Sequence, residues 1–322
     1  MNENCSDCIA DTGHGARRAD RLGVYAVDHF TLEAPDPAIA IPFLDACGLT
    51  PSLEGRSVKV TTGRTDHVWA KIVPGIHKRL SGLSFAAYAA DIDALRNRAM
   101  KAGVEIIAIA PDRFALIGPD GIEIEVVARD RSIFDVGDQM SELASDVALH
   151  RSTAVEPKAL KLSHIAIFTG NIEEALEFYT GILGLRLADR SGHGLCFLHA
   201  PHGSDHHVLA LVQSSGPGVH HYSWEMGSID ALGLRATIAA EKGFSKGWGF
   251  GRHVLGSNYF QYVRDPWGSH LELTAGIEYI PADIDWVAGD HPPEDAFYLW
   301  GPPPPEGFID NLEVSQSEPA LA

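Results

Sequence analysis

Two stretches of the chain share one pattern of apolar and polar positions. VDHFTLEAPDPAIAIPFLDACGL (27–49) and LSHIAIFTGNIEEALEFYTGILGL (162–185) each open on an alternating run. Each then passes a polar turn into apolar residues at helical spacing and finishes at Gly-Leu. Alternation predicts a strand, and spacing of three and four predicts a helix. Asn171, with Glu174 three residues on, makes a capping box for the second helix. Asp36 before Pro37 supplies an N-cap and a first helical residue in the first copy.

The repeat continues. SFAAYAADIDALRNRAMKAG (84–103) lies over HYSWEMGSIDALGLRATIAAEKG (221–243), sharing Ile-Asp-Ala-Leu at 92–95 and 229–232. Each copy opens an amphipathic helix that stops at a glycine. A third match sets Gly118–Glu125 over Asp265–Glu272, a turn leading into a strand that carries an acid four places after a glycine. The units read as an α+β fold of two domains, each of paired βαβββ modules. One face of each sheet lies on helices and the other lines a cavity. The predicted organisation is a tail (1–23), a first domain (24–130), a charged linker (131–158), a second domain (159–280) and a proline-rich segment (281–322). That last segment carries Phe297, Tyr298 and Trp300 and packs on the second domain.

Composition narrows the class. With 322 residues, 45% hydrophobic and 21% charged, the chain is long enough for two soluble cores. A net charge of −18 argues against nucleic acid or an anionic membrane surface as partner. No apolar run reaches the roughly 18–20 residues of a membrane span, and the polar N-terminus has no signal core, so the expected location is cytoplasmic. The four cysteines do not suggest a disulfide framework. Cys5 and Cys8 have metal-ligand spacing, but no second such pair follows, and the stretch reads as a plain polar tail.

The chemistry gathers in the second half. His164 lies mid-strand, His220-His221 open a second strand, and Glu272 lies within HLELT. A glutamate between two leucines is costly to bury without a cation. Two imidazoles and a carboxylate are the ligands of a non-haem Fe(II) site that keeps positions open. Neighbours on a strand point to opposite faces, so one of His220 and His221 faces the cavity. The repeat, which sets His221 opposite Ser84, selects His221. Serine is a poor ligand, so metal binding is expected in the second domain only.

The segment from Gly251 to Glu272, GRHVLGSNYFQYVRDPWGSHLE, resembles the signature of the type I extradiol ring-cleavage dioxygenases of the vicinal oxygen chelate superfamily. The signature runs Gly-x-His, a spacer, an apolar residue, Tyr, two residues, an Asp-like residue, Pro-x-Gly, a short spacer and Glu. Gln261 stands where the apolar residue is usual. The resemblance extends over about residues 24 to 305. It implies Fe(II), less often Mn(II), held by His164, His221 and Glu272. It implies that His207 is a catalytic histidine, and that His253 and Tyr262 contact the substrate hydroxyls. A family aspartate three residues after His253 is here Gly256. The activity implied is extradiol (meta) cleavage of a substituted catechol with O2 in aromatic catabolism, by a homo-oligomer. Two other readings stand beside it. A glyoxalase-like isomerase or lyase would need a second glutamate and has no use for His253 and Tyr262. A non-catalytic binding protein of the superfamily needs no intact triad.

Overall fold

The computed structural model describes residues 17–135 and 155–317. Cys5, Cys8 and most of the expected linker lie outside the described residues. Cys47 and Cys196 are buried and unpaired. In the first half the strands are β1 (Ala26–Ala34), β2 (Thr50–Glu54), β3 (Ser57–Thr61), β4 (Ala70–Pro74), β5 (Arg79–Ala87), β6 (Ile106–Ala110), β7 (Arg113–Ile117) and β8 (Glu123–Ala128). The second half has β9 (Lys161–Thr169), β10 (Arg186–Ser191), β11 (Leu195–His199), β12 (Ser204–Asp205), β13 (Leu209–Gln213), β14 (Gly218–Glu225), β15 (Gly247–Arg252), β16 (Tyr259–Arg264), β17 (His270–Ala275), β18 (Tyr279–Ile280) and β19 (Gly289–Asp290). The helices are α1 (Ala40–Ala46), α2 (Ile92–Lys101), α3 (Ile172–Gly181), α4 (Ile229–Glu241) and α5 (Leu312–Ser317). None of them is long and apolar enough to cross a membrane.

The first sheet runs β2-β3-β4-β1-β5-β8-β7-β6 and the second β15-β16-β17-β14-β9-β13-β11-β10-β19. Read from opposite ends, the two orders are the same, with β19 added at one edge. Each half is therefore a strand–helix–three-strand unit used twice, joined at a central antiparallel pair, β1 with β5 and β9 with β14. The chain is an α+β protein built from paired βαβββ modules. The expected caps form. Asn171 Oδ1 accepts from the Glu174 N–H at 3.3 Å, and Asp36 Oδ1 accepts from the Ala38 N–H at 3.3 Å. Asp36 caps a short 3-10 turn, Pro37–Ile39, which runs on into α1.

Strand register corrects one expectation. In the first sheet Ser84 is the cross-strand partner of both His29 and Glu125; in the second, Ser223 is the partner of both His164 and Glu272. Ser84 therefore corresponds to Ser223. The residue corresponding to His221 is Gly82, which pairs with Thr31 and Glu123 as His221 pairs with Ala166 and His270. The matched Ile-Asp-Ala-Leu motifs mislead by two positions because a 3-10 turn, Ala89–Asp91, lengthens the strand-to-helix connection of the first half. Gly82 has no ligand atom, and the Ser84 hydroxyl donates to Glu125 Oε2 at 2.8 Å.

One buried apolar cluster runs through both halves. Phe30 lies 5.1 Å from Tyr222 and Phe43 lies 5.4 Å from Phe244, ring centroid to ring centroid. Such pairs add about 0.5–1.5 kcal/mol beyond area burial. The fully buried Arg235 of α4 donates from Nε to the Pro157 carbonyl at 2.8 Å and from Nη1 to the Ala46 carbonyl at 3.4 Å. This fastens α4 to the end of α1. Residues 291–309 cross the open face of the second sheet, which is why β9 and β14 are buried on both faces.

Candidate active site

β17, β14 and β9 lie side by side at the centre of the second sheet, and each gives one side chain to the same point. His164 and Glu272 flank Ser223 at one level, and His221 stands two residues along on the same face. His164 Nε2 is 3.0 Å from Glu272 Oε2, His221 Nε2 is 3.5 Å from it, and the two imidazole nitrogens are 3.2 Å apart. Among the described residues this is the one cluster of histidine, cysteine or acid arranged to hold a metal ion.

The donor set fits a divalent cation. Glu272 is fully buried, and its Oε2 has no hydrogen-bond partner although two imidazoles border it. A buried carboxylate oxygen in that condition costs about 1–3 kcal/mol or more, which a cation would offset. Burial, followed by the neighbouring His220, holds His221 well below the ordinary imidazole range, so its ring is available as a neutral ligand.

The surroundings orient the ligands. His220 Nε2–H donates to the Phe308 carbonyl at 2.9 Å, leaving His220 Nδ1 to accept from His221 Nδ1–H at 2.6 Å. His221 thereby presents the lone pair of Nε2. His164 Nδ1–H donates to Ser163 Oγ at 3.2 Å, and that hydroxyl donates to Asp205 Oδ2 at 3.3 Å. Asn258 donates to Glu272 Oε1 at 3.2 Å and to Thr274 Oγ1 at 2.7 Å. The alternation expected to turn His220 away from the cavity is broken by a register shift between Val219 and His221, and both rings border the cavity.

The other predicted residues converge on the same place. The His207 ring lies 4.2 Å from that of His164, on the loop just before β13 rather than within the strand. Tyr262 pairs directly across the sheet with Glu272, and its hydroxyl donates to His253 Nε2 at 3.1 Å. His253 Nδ1–H in turn donates to the Phe297 carbonyl. Burial, then the Glu272 charge, pushes the Tyr262 phenol well above its ordinary value, so it stays a donor. Gln261 points to the opposite face, toward a shallow depression beside α4. Gly256 has φ +84, and a Cβ there would sit 3.2 Å from His207 Cε1. An aspartate at that position would press on the histidine.

These side chains surround a cavity of about 830 Å³. Its walls are Ala166, Leu195, Phe197, Ala210 and Val212 on one side and Trp248, Phe297 and Phe308 on the other. Among the described residues, none of the first half lines it. The signals missed in the sequence are His220, Asn258 and Ser163, ordinary polar residues whose partners lie on other strands.

The geometry gathers three ligand atoms able to hold one metal ion, on strands facing a largely apolar cavity. The family model described as Glyoxalase/Bleomycin resistance protein/Dioxygenase superfamily matches residues 161–273. The chain is 39% identical to "Metapyrocatechase 2" of Cupriavidus necator, over 91% of this chain and 94% of that one. It is 26% identical to the "Iron-dependent extradiol dioxygenase" of Rhodococcus jostii (strain RHA1), over 74% and 83% of the two chains. Among solved structures, the Mn(II)-bound glyoxalase from Novosphingobium aromaticivorans superposes with a TM-score of 0.70 at 26% identity, covering 88% of this chain and 93% of that one. This chain belongs to the extradiol dioxygenase family of that superfamily.

Proposed function

We propose that the protein is an extradiol dioxygenase that opens the ring of a substituted catechol beside its two hydroxyls and incorporates both atoms of O2. His164, His221 and Glu272 hold the metal, Fe(II) or Mn(II), both of which suit imidazole and carboxylate ligands. The names of the R. jostii and N. aromaticivorans relatives carry one of these metals each. The single observation that carries the reading is the unpartnered Glu272 Oε2 beside two imidazoles, His164 and His221, that line a cavity shared with His207, His253 and Tyr262.

A bound divalent ion lowers the pKa of a coordinated hydroxyl and brings two oxygen-bearing reactants together. The chain's own residues do the rest. The Phe297 carbonyl fixes His253 as the Nδ1–H tautomer, so Nε2 can accept a proton from a catechol hydroxyl. Tyr262, which stays protonated, holds a hydrogen bond to the neighbouring oxygen. His207 stands beside His164 and supplies proton transfer there. The apolar walls exclude water and strengthen each of these contacts.

The cavity also favours a class of substituent. Among the described residues no lysine or arginine lines it, and Asp290 is the one acid on its wall. Neutral, apolar ring substituents fit better than anionic ones. The acidic chain is expected to act in the cytoplasm as a homo-oligomer, without nucleic acid or membrane as partner. Turnover under ¹⁸O2 tests the reaction: mass spectrometry should find both labelled atoms in one ring-opened product. An unlabelled product, or rearrangement of a thiol adduct without oxygen uptake, would favour a glyoxalase-like isomerase instead.

A further inference from the structure

We propose that Asp189 and His206 are positioning residues that set the tautomer of His207. The inference rests on the reading of His207 as the catalytic histidine.

Asp189, on β10, is buried, and its two oxygens do different work. Oδ1 accepts from the Gly289 N–H and from His291 Nε2, each at 2.8 Å. Oδ2 is 2.8 Å from His206 Nε2. His206 is 1% exposed, and its backbone N–H donates to the Glu278 carbonyl at 2.6 Å. Its ring lies edge-on to that of Trp286 at 5.7 Å. On its other side His206 Nδ1 lies 3.1 Å from His207 Nδ1.

Hydrogen counting along this line leaves one arrangement. An ionised carboxylate only accepts, so His206 Nε2 carries the hydrogen. A neutral imidazole has one N–H, so His206 Nδ1 is an acceptor. The close contact between the two Nδ1 atoms then takes its hydrogen from His207. His207 is left as the Nδ1–H tautomer, with the lone pair of Nε2 offered to whatever occupies the cavity. Without the carboxylate, His206 is free to move its hydrogen to Nδ1. The bond to His207 then reverses, and His207 Nε2 becomes a donor. Asp189, two residues removed from any contact with the reacting groups, thus decides whether His207 begins the cycle as acceptor or donor. Burial pulls the Asp189 carboxyl up, but its bonds to His206, His291 and the Gly289 amide outweigh that and keep it below its ordinary value.

The test uses Asp189→Asn, Asp189→Glu, His206→Gln and Trp286→Phe in the iron-loaded enzyme, with ¹⁵N-histidine NMR of the diamagnetic zinc-loaded protein. Asp189→Asn and His206→Gln should lower kcat about 10–100-fold, with KM and iron content within about twofold of the parent. In Asp189→Asn the His207 signal should change from the Nδ1–H to the Nε2–H tautomer. Asp189→Glu should recover most of the rate. Trp286→Phe removes the bond from the indole to the Ala188 carbonyl, 2.8 Å in the parent, and so loosens the same segment without touching the line of hydrogen bonds. It should stay within about twofold, well short of the loss that breaking an orienting bond brings. Parental turnover in Asp189→Asn, or equal losses in Asp189→Asn and Trp286→Phe with the His207 tautomer unmoved, would overturn the proposal. Parental turnover in His207→Gln would overturn the underlying reading of His207, and the relay with it.

Discussion

Tyr262 and Glu272 are direct partners across β16 and β17. The register of one hairpin therefore fixes the phenol at the height of the Glu272 carboxylate. Their neighbour His253 closes the group by accepting from the Tyr262 hydroxyl at 3.1 Å.

Removing that hydroxyl alone should separate binding from chemistry. Tyr262→Phe keeps the ring stacked on Trp248 at 5.5 Å and leaves the ligands untouched. Iron content should equal that of the parent, while kcat falls about 10²-fold, the range for one positioned acid or base. Metal analysis beside steady-state kinetics checks both. Parental turnover would remove Tyr262 from the mechanism.

Gly256→Ala should also slow turnover without loss of iron. The position has φ +84, and the added methyl would lie 3.2 Å from His207 Cε1 and 3.3 Å from Asn258 Oδ1. The backbone strain of a left-handed residue is about 1–2 kcal/mol. Thermal unfolding should show that modest loss, and kinetics a larger fall in kcat than in metal occupancy. Equal, parental values for both would mean that His207 needs no such clearance.

His220→Leu should weaken metal binding. The substitution deprives His221 Nδ1 of its acceptor and the Phe308 carbonyl of its donor. Loss of a group that orients a ligand costs about 10–100-fold in metal affinity or activity. Competition with a chelator measures it.

Glu225 makes stability depend on pH in the sense opposite to a salt-bridged acid. Burial, then Asp205, pushes its carboxyl up from 4.5 to about 7 in the folded chain. Both states are protonated below about 4.5, where its contribution is complete. As pH rises through about 7 the folded state must ionise a buried group, and on the order of 3 kcal/mol is lost. Glu225→Gln should therefore gain on the parent between pH 4.5 and 8 in denaturant unfolding. A constant difference across that window would contradict the assignment.

How much of this was legible in the sequence follows from the range of each interaction. The repeated Gly-Leu and Ile-Asp-Ala-Leu stretches are local, and they disclosed four copies of one module. His253, Tyr262 and Glu272 stood out because their spacing resembles a family signature; His164 stood out as a mid-strand histidine, and His221 was chosen on a repeat alignment that the strand register moves by two positions. The pairing of Ser84 was misread because the 3-10 turn at Ala89–Asp91 shifts the alignment by two residues and leaves no compositional trace. His220 was set aside because strict strand alternation turns it from the cavity, and a register shift is not visible in VHHYSWE. Asn258 and Asp189 find their partners across strands and loops, so nothing beside them in the chain marks their role.

The central claim is that one ion, held by His164, His221 and Glu272, makes the chain a ring-cleaving dioxygenase. The most direct measurement compares parent and Glu272→Gln after anaerobic loading with Fe(II), recording bound iron and oxygen uptake on adding a neutral alkyl-substituted catechol. The parent should bind one iron per chain and consume oxygen as a yellow ring-opened product forms. Glu272→Gln should lose both iron and turnover, and its metal-free form should unfold at higher temperature, because an unpaired buried charge is gone. Iron retained with full oxygen uptake in Glu272→Gln, or an iron-loaded parent that leaves every catechol intact, would contradict it.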